Sequence, residues 1–166
     1  MDVGWARPDE AEPVADLLAE AARFMAERTS SRWAWRVEDL GFPRVTAWIE
    51  RRELIVARES DEVIGSALLT WVDDEFWPDH AHDTAGYLHK LAVRRRWAGR
   101  GVAGQLVTFA AQAVRSAGRD TLRLDCHPGI ARVYEAMGFI QLDEVCRGPD
   151  YVVARFQQAA AVLAAS

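Results

Sequence analysis

Apolar positions recur at helical spacing over residues 9–28, where Val14, Leu17, Leu18, Ala21, Phe24 and Met25 make one stripe. A helix is predicted there, opened by Pro8, whose fixed φ and missing N–H suit a first turn. Residues 2–6 predict a short strand before it, and 43–52 a second helix. The polar and aromatic stretch 30–42 reads as loop or short helix. ELIVAR over 53–58 and EVIGSALLTWV over 62–72 read as strands, joined into a hairpin by a turn at Glu59 to Asp61. A loop over 73–85 leads to a strand over 86–94 and a helix over 100–117 that Gly118 stops. Residues 120–126 predict another strand, and Pro128 opens a short helix to Met137, stopped by Gly138. Two strands, 139–146 and 151–156, close the pattern, and 157–166 reads as a frayed Ala-rich tail.

The order is β α α β β β α β α β β, with hairpins first and a βαβ crossover in the second half. It predicts an α/β (mixed α+β) fold. A central, mostly antiparallel twisted sheet would hold one parallel crossover, with helices on both faces. A single domain over 1–157 with a tail over 158–166 is expected from a chain of 166 residues.

Composition adds constraints. Half the residues are hydrophobic, 27% are charged and the net charge is −5, which argues against nucleic acid as a partner. Cys126 and Cys146 have no metal-type spacing and make no disulfide framework. With no secretory or membrane-length apolar run visible, a cytoplasmic protein with no membrane partner is expected. The charge is uneven along the chain. Segment 71–85 carries Asp73, Asp74, Glu75, Asp79 and Asp83 with no Lys or Arg, whereas 86–104 carries Lys90, Arg94, Arg95, Arg96 and Arg100 with no acid.

Residues 86–104, GYLHKLAVRRRWAGRGVAG, run from strand through basic and glycine-rich turn to a helix start. Two-residue alternation places Tyr87, His89, Leu91 and Val93 on one face. Gly99, Gly101 and Gly104 let backbone amides approach a ligand, and a helix start adds unpaired donors and a positive dipole end. The result is an anion cradle suited to phosphates. Three other readings stand beside it. G-x-G-x-x-G with Asp125 further on allows an NAD-dependent oxidoreductase, but RRRWA separates the strand from the first glycine, and no βαβαβ half opens the chain. A Walker loop is excluded, because no Gly-Lys-Ser/Thr follows. The plainest alternative is a helix start ringed by solvated arginines.

Two spaced motifs point further. Arg96-Trp-Ala-Gly99-Arg-Gly101 matches R/Q-x-x-G-x-G/A, and Val133-Tyr134-Glu-Ala-Met-Gly138-Phe139 matches L-Y-x-x-x-G-F. With the strand, helix, strand and short helix around them, they resemble the GNAT superfamily of acyl-CoA-dependent N-acyltransferases. The resemblance is specific over 86–140 and topological before that. The run Leu88-His-Lys-Leu-Ala-Val is also similar to the arylalkylamine N-acetyltransferases, whose strand carries two alternating histidines; Tyr87 stands in place of the first.

The resemblance implies acetyl-CoA as cosubstrate, no metal, a small-molecule or peptide amine as partner, and a homodimer as a common assembly. Backbone groups of Leu91, Ala92 and Val93 would bond the pantetheine arm. The turn formed by Gly99, Arg100, Gly101, Val102, Ala103 and Gly104 would hold the pyrophosphate, with Arg96 and Arg100 supplying charge. His127 occupies the place of the family's frequent Asn and is the expected further cosubstrate contact. Tyr134 matches the usual general acid, which protonates the departing thiolate; the competing reading is a core tyrosine. His89, with an ordinary pKa near 6.5, is the candidate base for the amine; a half-buried strand histidine is the alternative. Asp79-His80-Ala-His82-Asp83 is read as a solvated loop rather than a metal site. An acceptor wall is expected from Asp73, Asp74, Glu75 and Trp77, faced by Trp33 and Trp35; otherwise this is a solvated loop whose tryptophans cap the core. The function implied is an N-acetyltransferase, the alternative a non-catalytic acyl-CoA-binding regulatory module.

Overall fold

A computed structural model describes residues 1–28 and 35–165. Seven strands form one sheet in the order β1-β2-β3-β4-β5-β7-β6, antiparallel except for β4 and β5, which run parallel. The strands are β1 (Asp2–Trp5), β2 (Leu54–Glu59), β3 (Glu62–Thr70), β4 (Ala85–Val93), β5 (Thr121–Cys126), β6 (Ile140–Cys146) and β7 (Val152–Ala159). The helices are α1 (Ala11–Ala26), α2 (Phe42–Glu50), α3 (Val102–Ser116), α4 (Ala131–Ala136) and α5 (Ala160–Leu163). This is the mixed α/β order that the apolar periods predict. The chain divides into two units, 1–68 with 90–109 and 69–89 with 110–166.

In the first unit, the stripe on α1 buries Val14, Leu17, Leu18 and Ala22 beside Val45, Trp48 and Ile49 of α2. Leu54 and Val56 of β2 complete this core. The β2–β3 hairpin turns where expected, with Ser60 at φ +53°. Arg58 on β2 meets the buried carboxylate of Glu10 through two hydrogen bonds, Nε at 2.5 Å and Nη2 at 2.7 Å. A charge as buried as Arg58 requires such a partner. Gly65 on β3 lets α3 dock: a Cβ there would sit 2.8 Å from Val102 Cγ1 and 3.1 Å from Leu106 Cδ1.

In the second unit, β4 and β5 pair over three residues only, Ala85↔Thr121, Gly86↔Leu122 and Tyr87↔Arg123. Beyond them β5 keeps its pairing with β7 as far as Cys126↔Ala154. Gly118 ends α3 as predicted, at φ +74°, with its N–H on Arg115 O. Gly138 ends α4 in the same way at φ +91°.

Two features depart from the sequence pattern. β7 runs on to Ala159 because Thr121 pairs with that residue, and the expected frayed end instead forms α5 with Ala160 and Leu163 buried. The Ala160 N–H donates to Asp120 O at 2.7 Å, which anchors that turn. Within β4, Lys90 has φ +51°, in the left-handed region. That interrupts the alternation expected to hold Tyr87, His89, Leu91 and Val93 on one face.

Candidate active site

The basic turn follows β4 in the first unit. Arg94 is structural: Nη1 pairs with Glu20 at 3.0 Å, Nε donates to Val63 O and Nη2 to Pro13 O. Arg95 donates its backbone N–H to Glu20 and lays its guanidinium 3.8 Å from the Phe24 ring centroid. These two are therefore committed to holding the turn against α1. Arg96 is mostly exposed and pairs with Glu62, whose hydrogen bond raises the Arg96 pKa. Arg100 lies over Trp97, 5.0 Å from its centroid.

Gly99 and Gly101 have φ of +76° and +79°, so both need left-handed backbone. At Gly104, inside the first turn of α3, the φ is not of that kind and a Cβ would meet nothing within 4 Å. Neither packing nor backbone geometry therefore demands glycine at that position. The Gln105 N–H closes the first turn on Gly101 O at 3.1 Å. The amides ahead of it lack a helical acceptor and stand at the positive dipole end. Open glycine surface, helix-start amides and Arg100 together make a seat suited to a phosphate anion.

The second unit holds the titratable candidates. His89 Nε2 is 3.2 Å from Thr70 Oγ1 and 3.8 Å from Asp73 Oδ2. Asp125, on β5 past the end of its ladder with β4, completes a group whose ligand atoms lie within 4.8 Å of one another. Tyr134 stands on α4 with its ring 6.3 Å from Phe139 and 6.1 Å from Phe156. Burial above all pushes its phenol well above the ordinary value, so it keeps its proton. Burial likewise pushes the Cys126 thiol up to about 12, so it stays neutral. His127 caps the turn at Pro128–Ile130, its Nδ1 accepting from the Gly129 N–H at 2.9 Å. The expected cosubstrate position thus carries a capping ring.

The expected acceptor wall is corrected in part. Trp77 is fully buried among Ala85 and Tyr87, with the guanidinium of Arg155 4.8 Å and that of Arg123 5.3 Å from its centroid. It is core, because two arginines reach it from distant strands. Asp73 is also buried, and its Oδ1 caps the loop by accepting from the Glu75 and Phe76 amides. Asp74 is exposed and reaches His82 Nε2 at 3.1 Å, and Glu75 is exposed. Trp35 packs against the first unit's core with Lys90 Nζ 4.9 Å over its ring. Trp33 lies outside the described residues. His82 is not simply solvated: Nδ1 sits 2.5 Å from the buried Tyr87 hydroxyl, which also accepts from Arg123. Sequence reasoning missed Asp125 as a neighbour of His89; the available signal was its place near the end of the strand that runs parallel to β4. Among the described residues, no helix is long and apolar enough to cross a membrane.

Comparison with known proteins agrees with this fold. Residues 16–139 match the acetyltransferase (GNAT) family. The uncharacterized N-acetyltransferase YesJ of Bacillus subtilis (strain 168) is 27% identical over 138 residues, 79% of this chain and 77% of that one. A GNAT-family acetyltransferase from Listeria monocytogenes 4b F2365 superposes with a TM-score of 0.72 at 24% identity, over 95% of this chain and 94% of that one. The PaiA N-acetyltransferase of Thermoplasma acidophilum, solved in complex with coenzyme A, superposes with a TM-score of 0.74 at 15% identity, over 95% and 98%. At these identities the likeness to the solved structures is one of fold.

Proposed function

The chain belongs to the acetyltransferase (GNAT) family, and we propose that it transfers an acetyl group from acetyl-CoA to a primary amine by direct attack, with both substrates bound together. The observation that carries this reading is the turn Gly99–Gly104, with two left-handed glycines and a third whose missing side chain nothing in the packing explains.

When bound, acetyl-CoA supplies a thioester carbonyl that an amine can attack. The amides of Gly101 to Gly104 hold its pyrophosphate, and Arg100 and Arg96 neutralise its charge. Arg96 shares its guanidinium with Glu62 in doing so. Backbone groups of Leu91, Ala92 and Val93 orient the pantetheine arm. His89 takes a proton from the amine, leaving a lone pair on nitrogen. As the C–N bond forms and the C–S bond breaks, Tyr134 gives its proton to sulfur, and the second proton that the acylated nitrogen sheds restores the phenol. Burial keeps that proton on the phenol until it is needed. His89→Ala should remove the rising limb of kcat/KM with pH.

Calorimetric titration tests the cosubstrate assignment. Wild-type protein binds acetyl-CoA and does not bind NAD, and Gly101→Asp abolishes the binding because a carboxylate enters the phosphate turn. Unchanged affinity in that variant overturns the assignment. Thiol release with a panel of amines then separates a working transferase from a regulatory module that binds acyl-CoA without turnover.

A further inference from the structure

Building on the acetyltransferase reading, we propose that Asp73, His89 and Asp125 form a seat for the acceptor's ammonium group, and that the acceptor is a primary alkylamine bound as its cation. The first reason is the state of Asp73. Its side chain is only 5% exposed. Oδ1 is held by the Glu75 and Phe76 amides, which fixes the carboxylate plane. Oδ2 is buried and accepts no hydrogen bond. Buried carboxylate oxygens are almost always satisfied, so this one calls for a donor.

Among the described residues of its own unit, three buried or half-buried arginines are committed elsewhere. Arg155 is bound by Asp79 and Asp143, Arg123 by Tyr87 and Ala81 O, and Arg119 by the carbonyls of Trp71, His82 and Ala85. The ring of His89 stops at 3.8 Å from Oδ2, too far for a hydrogen bond. An acceptor's ammonium would supply the missing donor.

The spacing has room for an ammonium donor. Three acceptors at about 2.8 Å from one nitrogen, in tetrahedral directions, stand about 4.6 Å apart. The ligand atoms of Asp73, His89 and Asp125 lie within 4.8 Å of one another. A metal ion with ligands at about 2.1 Å would need them about 3.0–3.4 Å apart, and the 3.8 Å between Asp73 and His89 falls between the two spacings. A primary ammonium offers three N–H donors to three acceptors, a secondary one only two, and a quaternary one none. Two carboxylates hold the cation, and His89 then receives one of its protons. The imidazolium so formed remains beside the same two carboxylates, which stabilise it.

Kinetics with acetyl-CoA and n-hexylamine, N-methylhexylamine or hexyltrimethylammonium test the seat. Asp73→Asn keeps the capping Oδ1 and removes only the charge; Asp125→Asn is the second variant, and Asp83→Asn is a charge-matched control on the exposed part of the loop. Each of the first two should raise KM for hexylamine about tenfold or more, with acetyl-CoA affinity unchanged, and the control should behave as the parent. N-methylhexylamine should be a poorer substrate, and hexyltrimethylammonium should not compete. If both variants keep the parent KM, if the trimethyl cation competes as well as hexylamine, or if a peptide N-terminus is the better acceptor, the seat is overturned. It is equally overturned if Zn²⁺ or Mn²⁺ binds there and activity depends on it, or if acetyl-CoA binds but hexylamine is not acetylated. Failure to bind acetyl-CoA at all overturns the transferase reading instead.

Discussion

Gly65 on β3 and Val102 at the head of α3 approach so closely that a Cβ on the glycine would lie 2.8 Å from Val102 Cγ1, with Ala92 O only 3.3 Å away on the other side. The start of α3, and with it the glycine turn, is therefore seated by a bare patch of strand. Gly65→Ala should destabilise the protein by about 1–3 kcal/mol through overpacking, read from urea unfolding. Acetyl-CoA affinity should fall as well, because relief of the clash displaces the first turn of α3.

Gly104 predicts the opposite pairing of effects. A methyl group there meets nothing, and alanine is the better helix former by about 0.5–1 kcal/mol. Gly104→Ala should raise the unfolding free energy while weakening acetyl-CoA binding in a calorimetric titration. A variant that is both stabler and equally tight would show that the glycine does not serve the phosphate.

Tyr134→Phe removes one hydroxyl and keeps the ring against Phe139 and Phe156. Acting as the acid, Tyr134 should be worth about 10²–10⁴ in kcat, with acetyl-CoA affinity and thermal midpoint close to the parent. A parental kcat would make this a packing residue alone.

Acid stability should report on Arg155. Its hydrogen bonds hold the Asp79 and Asp143 carboxyls below the usual value of 3.8. The folded protein thus binds these two protons less readily than the unfolded chain. The stability they contribute is complete above the unfolded pKa and is lost as pH falls through the lower folded values. The urea midpoint of the parent should therefore drop below about pH 4. In Asp79→Asn/Asp143→Asn that drop should flatten, and the midpoint at pH 7 should be lower, since Arg155 is left buried without its carboxylates.

Most elements were legible because their signals are local. Gly118 and Gly138 end helices where the apolar period stops, and the hairpin turns between its two apolar runs. The glycine turn and Tyr134 were readable for the same reason, as short contiguous motifs. Trp77 was not, since an aromatic ring in an acidic loop looks exposed until Arg123 and Arg155 arrive from β5 and β7. The length of β7 depended on Thr121 in another strand. The grouping of Asp73, His89 and Asp125 likewise exists only once three separate segments meet. Charge commitment was equally hidden: the basic run suggested four arginines for an anion, but Glu20 takes up the Arg94 guanidinium and that of Arg95 lies over the Phe24 ring.

The left-handed residue in β4 carries a consequence for sequence variation. Elsewhere in a strand, Val and Ile are the favoured residues and Gly and Asn are penalised. At position 90 the order reverses, because φ +51° is costly for a β-branched side chain and easy for glycine or asparagine. A saturation library at Lys90, selected only for folded protein, should be enriched in Gly and Asn and depleted of Val and Ile, while neighbouring positions of β4 select the reverse. Natural relatives that share this backbone should bear the same inverted preference at one point inside an otherwise ordinary strand. A residue pattern that looks like a strand breaker would there mark a conserved backbone shape.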